Sequence, residues 1–483
     1  MKKQYKLISI FFFSFLILSY YLYNPSALYF LNDDLVHIPL SSNNFFFQHH
    51  SFRVMHEILV TIEYNFFGKN AAGYHYVQYF IHLVCSVLVY FFSQTICKEY
   101  GNLKEQENSL VSILTASFFC IYAFHSESVL WILGTTASLA TLFFLASTIA
   151  YMKRDKGVFF VYSLLFFQLG LFTYESNWVA PVFIGLLSWA TIQKSKKEWK
   201  KESVYPFVYI GSFLINLVIR KIIIGQYGGS YGDQKLFGFD VKRIIYNGVC
   251  LLVRSFIPPS QSSVYFIAFT VLLFIILAFY VRKIIAKKKG DMLMLILALS
   301  FLASLIPVLT LGISTHSRES ERYLYLPSIF LCLFIIYSLF KLYAGNRLCI
   351  AVIFLFAYNI FFLYINARDY AVAGNIAKSY YTHLEKEKKD TGKIVLVKFP
   401  QQFNGLPLFR LGFKEGLFWI DNIDTNRIEI PKNEELKVSV SYTKAIAKRG
   451  FSFNFKESKT DSNQTIELMY DSTYFSIADF NKQ

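Results

Sequence analysis

Charge is scarce in this chain. Asp, Glu, Lys and Arg make up 17% of 483 residues, against 54% hydrophobic and 19% aromatic. That balance excludes an ordinary soluble enzyme and reads as an integral membrane protein. Cysteine is also sparse. Cys85, Cys97, Cys120, Cys250, Cys332 and Cys349 sit in or beside apolar runs, with no zinc spacing and no disulfide framework. They are expected to be small buried hydrophobes. No HxxxH or HxH pair occurs, which disfavours a metal site. The Gly-rich stretch GQYGGSYGDQK (225–235) lacks the Lys-Ser/Thr ending of a phosphate-cradling loop and reads as a flexible loop. The first apolar segment has no small-residue cleavage site, so a retained anchor is expected rather than a removed leader.

The chain has instead long apolar runs separated by short basic clusters. Runs at 7–31, 74–96, 109–124, 129–152, 158–173, 177–193, 204–219, 263–281, 291–313, 323–340 and 348–366 predict about eleven membrane spans. Lys2, Lys3 and Lys6 precede the first, which holds the N-terminus in the cytoplasm by the positive-inside rule. Loops 97–108, 153–157, 194–203, 282–290 and 341–347 are then cytoplasmic and carry nearly all the basic clusters. The net charge of +16 therefore points to membrane lipids rather than nucleic acid. Residues 241–257 are apolar at helical spacing but interrupted by Lys242, Arg243 and Arg254, which predicts an interfacial amphipathic helix. The chain thus divides into a membrane domain (1–366), a polar helical linker (367–392) and a tail (393–483). In the tail KIVLVKFP, LFRLGFKEGLFWI, RIEI, LKVSVSY, GFSFNF and TIELMY alternate at strand period. A small β-rich domain on the outer face is expected.

Polar groups gather at the outer ends of the spans. Asp33 and Asp34 follow the first span, at headgroup depth. Their loop also holds His37, His49, His50, Arg53, His56 and Glu57, and the other outer loops add His75, His125, Glu127, Glu175, Arg220, His316, Arg318, Glu319, Glu321 and Arg322. Ionisable groups at such depths are costly and mark substrate paths. A carboxylate there can take a proton from a hydroxyl. Arg322, at the mouth of a span in ISTHSRESERYLYLPS (313–328), suits a lipid phosphate or simply a headgroup.

GKNAAGYHYVQYFIHLVCSVLVY (68–90), FHSESVLWILGTTASLATLFFLAS (124–147), Glu175 with Pro181, and ERYLYLPSIFLCL (321–333) resemble the membrane-integral glycosyltransferases of the GT-C fold. The likeness is to the branch with the transmembrane-and-TPR O-mannosyltransferases and their bacterial relatives. It covers much of residues 25–345, and its most specific parts are ERYLYLPS and the H-x-E-x-V-x-W segment. Val54 stands where relatives have proline, Gly134-Thr135 where they continue Gly-Arg, and Tyr174 where they have lysine. No TPR repeats follow.

The resemblance implies a polytopic α-helical, GT-C-like fold in a bacterial inner or plasma membrane. It also implies transfer of one sugar from a polyprenyl-phosphate donor, outside the cytoplasm, to a hydroxyl on a protein or glycan. Asp33 or Asp34 would be the base, His125 and Glu127 would lie beside the sugar, and Arg322 with Tyr323 would hold the donor phosphate. Arg53, Glu175, Arg220 and Glu321 complete the candidate substrate contacts. No cofactor is required by that chemistry; whether a divalent metal takes part stays open. A single displacement predicts inversion. Two alternatives remain: a polymerase or ligase of lipid-linked oligosaccharide, and a lipid or glycan transporter. The second would place charges or broken helices mid-membrane, where these spans have almost none.

Overall fold

The computed structural model describes residues 2–41, 52–194, 199–227, 240–260, 262–286, 291–386, 393–431, 435–440, 453–459, 463–470 and 475–479. His49, His50, residues 228–235 of the Gly-rich stretch and parts of two basic loops (195–198, 287–290) lie outside them.

Among the described residues, six helical segments are long and apolar enough to cross a membrane. They are Ala71–Tyr100, Ile132–Tyr151, Trp199–Ile224, Ser263–Ala286, Glu321–Leu342 and Asn346–Lys386. Gly157–Leu171 and Met292–Val308 are apolar but shorter. The expected eleven spans exceed this count in part because several runs form shorter helices, such as Glu105–Cys120 and Ala180–Lys194. The run 7–31 is helix α1 only to Tyr23 (Lys2–Tyr23), then a 3₁₀ turn at Pro25–Ala27 and extended chain. The run 177–193 starts in a 3₁₀ turn, Glu175–Val179, before helix Ala180–Lys194. Each break brings backbone and polar side chains to one end of the bundle.

Residues 367–386 form no separate linker helix. They prolong the last span as the 41-residue helix Asn346–Lys386, whose far end enters the tail domain. There Tyr380 meets Phe399, Phe409 and Phe455 with ring centroids 5.4, 5.5 and 5.2 Å apart. The amphipathic segment is a 14-residue helix, Val241–Arg254, too short to span. Val241, Ile245, Tyr246 and Val249 are exposed, while Asn247, Cys250, Leu251, Val253 and Arg254 are buried. Five of the six cysteines are buried, as expected of small hydrophobes, and Cys349 is exposed.

The described residues of the tail form two four-stranded sheets. We number its strands β1 (Lys393–Val397), β2 (Phe399–Phe403), β3 (Leu406–Pro407), β4 (Ile428–Glu429), β5 (Glu435–Val440), β6 (Phe453–Lys459), β7 (Asn463–Tyr470) and β8 (Phe475–Asp479). The sheet orders are β4-β1-β7-β6 and β3-β2-β5-β8. β1 pairs in parallel with β7, Ile394 opposite Gln464 and Leu396 opposite Ile466, while β6 and β7 are antiparallel. One expected strand is helix instead: LFRLGFKEGLFWI (408–420) carries the helix Phe413–Asp421. Phe413, Gly416 and Leu417 recur at helical rather than strand spacing and are buried together. Gly412 (φ 80°) and Asn422 (φ 55°) bracket it in left-handed conformations.

The tail closes over the end of the bundle that carries Asp33. Asn32 donates its backbone N–H to Leu408 O (2.9 Å), and its Oδ1 accepts from Leu411 N (2.9 Å). Lys69 Nζ reaches Ile420 O (2.9 Å), Asn404 Nδ2 reaches Asp369 Oδ1 (3.0 Å), and Trp419 packs on Phe30 at 5.2 Å. Gly412 is required at this contact. A Cβ there would lie 2.7 Å from Asn32 O, and its φ is one that side chains resist.

Candidate functional site

A cavity of about 110 Å³ opens between membrane domain and tail. Leu31, Asn32, Asp33, Glu127, Trp131, Arg318, Glu319, Arg322 and Tyr370 line it from the bundle, and Leu406, Pro407 and Arg410 from the tail.

The two aspartates are placed differently. Asn32 adopts a left-handed φ of 50°, turning the chain so that its neighbours diverge. Asp34, fully buried, opens the helix Asp34–Ser41, with its Oδ2 accepting from Leu31 N (3.0 Å) and its Oδ1 from Leu133 N (3.3 Å). Both oxygens are engaged by backbone, so Asp34 ties the first loop to the 127–134 segment. Asp33 is half-buried, lines the cavity, and accepts one bond, from Asn32 Nδ2 at 2.6 Å. Burial raises its pKa above the ordinary 3.8, Arg410 and Arg322 draw it back down, and Glu319 adds to the rise. Burial also pushes Asp34 well up, against the pull of its two backbone donors.

Arg322 faces Asp33 across this space but is not a free cation. Its Nη1 donates to Glu127 Oε1 and its backbone N–H to Oε2, both at 2.7 Å. Its guanidinium lies 5.1 Å from the Trp131 ring and 5.3 Å from that of Tyr323. Burial raises the Glu127 pKa, with Arg322 opposing. The segment bearing Glu127 and Trp131 is braced from below by Gln78, whose Nε2 donates to Trp131 O (2.5 Å) and Ile132 O (2.8 Å). Gly134 lets it fold tightly, since a Cβ there would be 2.3 Å from Glu127 O.

Beyond Tyr174 lies a second polar cluster. Arg53 sits over the Tyr174 ring at 4.8 Å, and Arg220 Nη1 donates to Glu175 Oε1 at 2.9 Å. Arg220 also holds Asn216 Oδ1 (3.1 Å) and Leu171 O (2.6 Å). Burial would raise the Glu175 pKa, but Arg220 and Arg53 outweigh it and hold the carboxyl below its usual value. Beside Arg53, burial pushes Glu57 up to about 7, moderated by that arginine.

Of the candidates, Asp33, Glu127 and Arg322 line the cavity, with Tyr323 against Arg322. Arg53, Glu175 and Arg220 form the neighbouring cluster. His125 lies deeper: its Nδ1 is 3.0 Å from Ser328 Oγ and its ring packs against His82, Phe119, Tyr122 and Tyr325. Glu321 is fully buried outside the cavity, paired with Arg254 Nη2 at 2.5 Å and accepting from Ser126 Oγ at 3.2 Å. Its neighbour Arg322 points the other way because the 3₁₀ turn Glu321–Leu324 separates the two side chains. Residues outside the candidate set also build the site. Trp131 and Tyr370 line it, Gln78 supports it, and Arg410 arrives from a tail segment that had suggested only a strand.

No family model matches the chain, and no curated protein matches it. Among solved structures it is similar to the crystal structure of ArnT from Cupriavidus metallidurans bound to undecaprenyl phosphate. The two are 10% identical, with 95% of this chain and 97% of that one covered and a TM-score of 0.45. A likeness that loose leaves the activity to be argued from the site itself.

Proposed function

We propose that the chain is a GT-C-type membrane glycosyltransferase. It moves one sugar from a polyprenyl-phosphate donor to a hydroxyl acceptor, at the outer face of the membrane, with inversion. One observation carries this reading: of two adjacent acids, one is consumed by backbone hydrogen bonds and the other is left facing a cavity lined by three arginines, Arg318, Arg322 and Arg410. Asp33 accepts the acceptor's proton as the hydroxyl attacks the anomeric carbon. The bond from that carbon to the phosphate oxygen breaks, and the electron pair leaves with the phosphate. Such a leaving group needs little acid assistance. Arg322, with Tyr323 beside it, offsets the charge growing there. Glu127 holds Arg322 in place and stands within the same cavity, where a sugar hydroxyl can reach it. The cluster of Arg53, Glu175 and Arg220 lies next along the path and is the proposed continuation of the substrate contact surface. His125, deeper in the bundle, would act on the sugar only through the packing of Tyr325 and the Glu127 segment.

The decisive assay incubates purified chain with a radiolabelled polyprenyl-phosphate hexose and a mixture of glycan and peptide acceptors. One labelled sugar per acceptor, of inverted anomeric configuration, is the expected product. Transfer of a preassembled chain would instead favour a ligase, and movement of intact donor across vesicles without its consumption a transporter.

The pH profile tests the base separately. Asp33 must be ionised to act, and burial disfavours the ionised form. The acid limb of kcat/KM is therefore expected above the ordinary aspartate value of 3.8, with activity lost as pH falls through it. The groups sharing its field are Arg322, Arg410 and Glu319, with Glu127 and Arg318 on the same cavity wall. A profile flat down to the pKa of an exposed aspartate would remove Asp33 from the role.

A further inference from the structure

Cavity charges are nearly balanced by internal pairs. Arg322 is held by Glu127 through side chain and backbone. Arg318 bonds Asn366 Oδ1 at 2.9 Å and is paired with Asp369, both groups buried. Those pairs are costly to break, since either partner would be left as a buried, uncompensated charge. The third pair differs. Arg410 Nη1 and Nη2 meet Glu319 Oε2 and Oε1 at 3.1 and 2.9 Å, but the two side chains are 41% and 35% exposed, at the cavity mouth. A pair this exposed is screened by solvent and holds its partners less firmly than the buried pairs, so Glu319 is the partner most readily exchanged for another two-oxygen anion. The guanidinium fork suits a phosphate as well as a carboxylate.

The tail holds this arginine by several contacts on either side. Leu408 O and Leu411 N bracket it with bonds to Asn32, the residue that precedes Asp33. Gly412 then packs on Asn32 O, and Gly405 packs on Ser317 and His316 O of the loop that bears Glu319. The tail is therefore part of the cavity wall, and its arginine is fixed relative to Asp33 by backbone.

We propose that the tail domain completes the donor site: Arg410 releases Glu319 to bind the carrier phosphate of an incoming polyprenyl-phosphate sugar, a role that presupposes the phosphate-linked donor. Glu319 acts as a placeholder that keeps the arginine oriented between turnovers. Arg322, already compensated by Glu127, then meets the charge that appears as the sugar departs.

The test is equilibrium binding of a polyprenyl monophosphate, without sugar, to the purified full chain in detergent. Binding is read by quenching of tryptophan fluorescence, since Trp131 lines the cavity. Arg410→Gln is expected to weaken binding about ten- to hundredfold, the range for a lost charge-assisted hydrogen bond, and Arg410→Lys to weaken it less. Glu319→Gln is expected to tighten it, because the competitor for the arginine is gone; a merely structural ion pair would not give that opposite sign. A folded Arg410→Gln variant with wild-type affinity, or a Glu319→Gln variant weakened as much as Arg410→Gln, overturns the role. If Arg410→Gln does not fold, the sign of the Glu319→Gln change decides. Failure of the wild-type chain to bind polyprenyl monophosphate at all would instead sink the phosphate-linked donor, and the Arg410 role with it.

Discussion

Asp33→Asn is expected to leave a folded protein whose sugar transfer falls by about 10²–10⁴-fold, the usual contribution of a positioned general base. The substitution keeps the shape of the side chain and an oxygen able to accept the 2.6 Å bond from Asn32 Nδ2. It removes only the capacity to take a proton. Asp34→Asn should behave differently. Both oxygens of Asp34 accept backbone N–H groups, from Leu31 and Leu133, and an amide can satisfy only one of them. Leaving a buried donor unpaired costs about 1–3 kcal/mol, so Asp34→Asn should lower the unfolding temperature, with activity falling as the loop loosens. Turnover with a labelled donor, read beside thermal unfolding in detergent, separates the two. Wild-type turnover in Asp33→Asn would end the proposed mechanism, and an Asp34→Asn variant that is stable yet inactive would transfer the base to the other acid.

The second large effect concerns stability. Glu321 and Arg254 are both fully buried and paired at 2.5 Å, with Arg254 also donating to Ser314 O (3.1 Å) and Ile257 O (2.6 Å). Removing one member of such a pair strands the other charge and costs about 3–5 kcal/mol. Glu321→Ala should therefore lower the apparent unfolding temperature by many degrees and reduce the yield of folded protein. Asp155→Asn breaks the exposed pair with Lys201 (3.0 Å) and should change it by at most about 1 kcal/mol. Glu321→Met together with Arg254→Met should recover much of the loss, because no unpaired charge remains. Were Glu321→Ala as stable as the parent chain, the pair would not lie in a dry interior, and Glu321 would return as a candidate substrate contact.

How far the site was legible follows from how each residue signals itself. Asp33 and Asp34 stand out because charges are rare beside apolar runs, but adjacency could not separate them. One left-handed residue, Asn32, and a backbone N–H from a segment a hundred residues away divide their roles. Glu321 and Arg322 were equally inseparable in the sequence, and a 3₁₀ turn sends them to different partners. Arg410 carried no signal at all, since an arginine in an aromatic stretch of the tail is unremarkable until the tail folds back. The segment of helix Phe413–Asp421 reads as a strand in the sequence because its aromatic residues satisfy both periodicities over a short window.

Composition and the spacing of apolar runs were sufficient by themselves to define a helical membrane chain whose C-terminal tail contains strands. Those properties depend only on local transfer of apolar side chains out of water and on backbone hydrogen bonds that each segment must satisfy for itself. Which acid faces a cavity, which arginine is already neutralised and which remains exchangeable were decided only by tertiary structure. They depend on contacts between residues far apart in the chain, where burial and pairing, rather than residue type, set what a charged group is able to do.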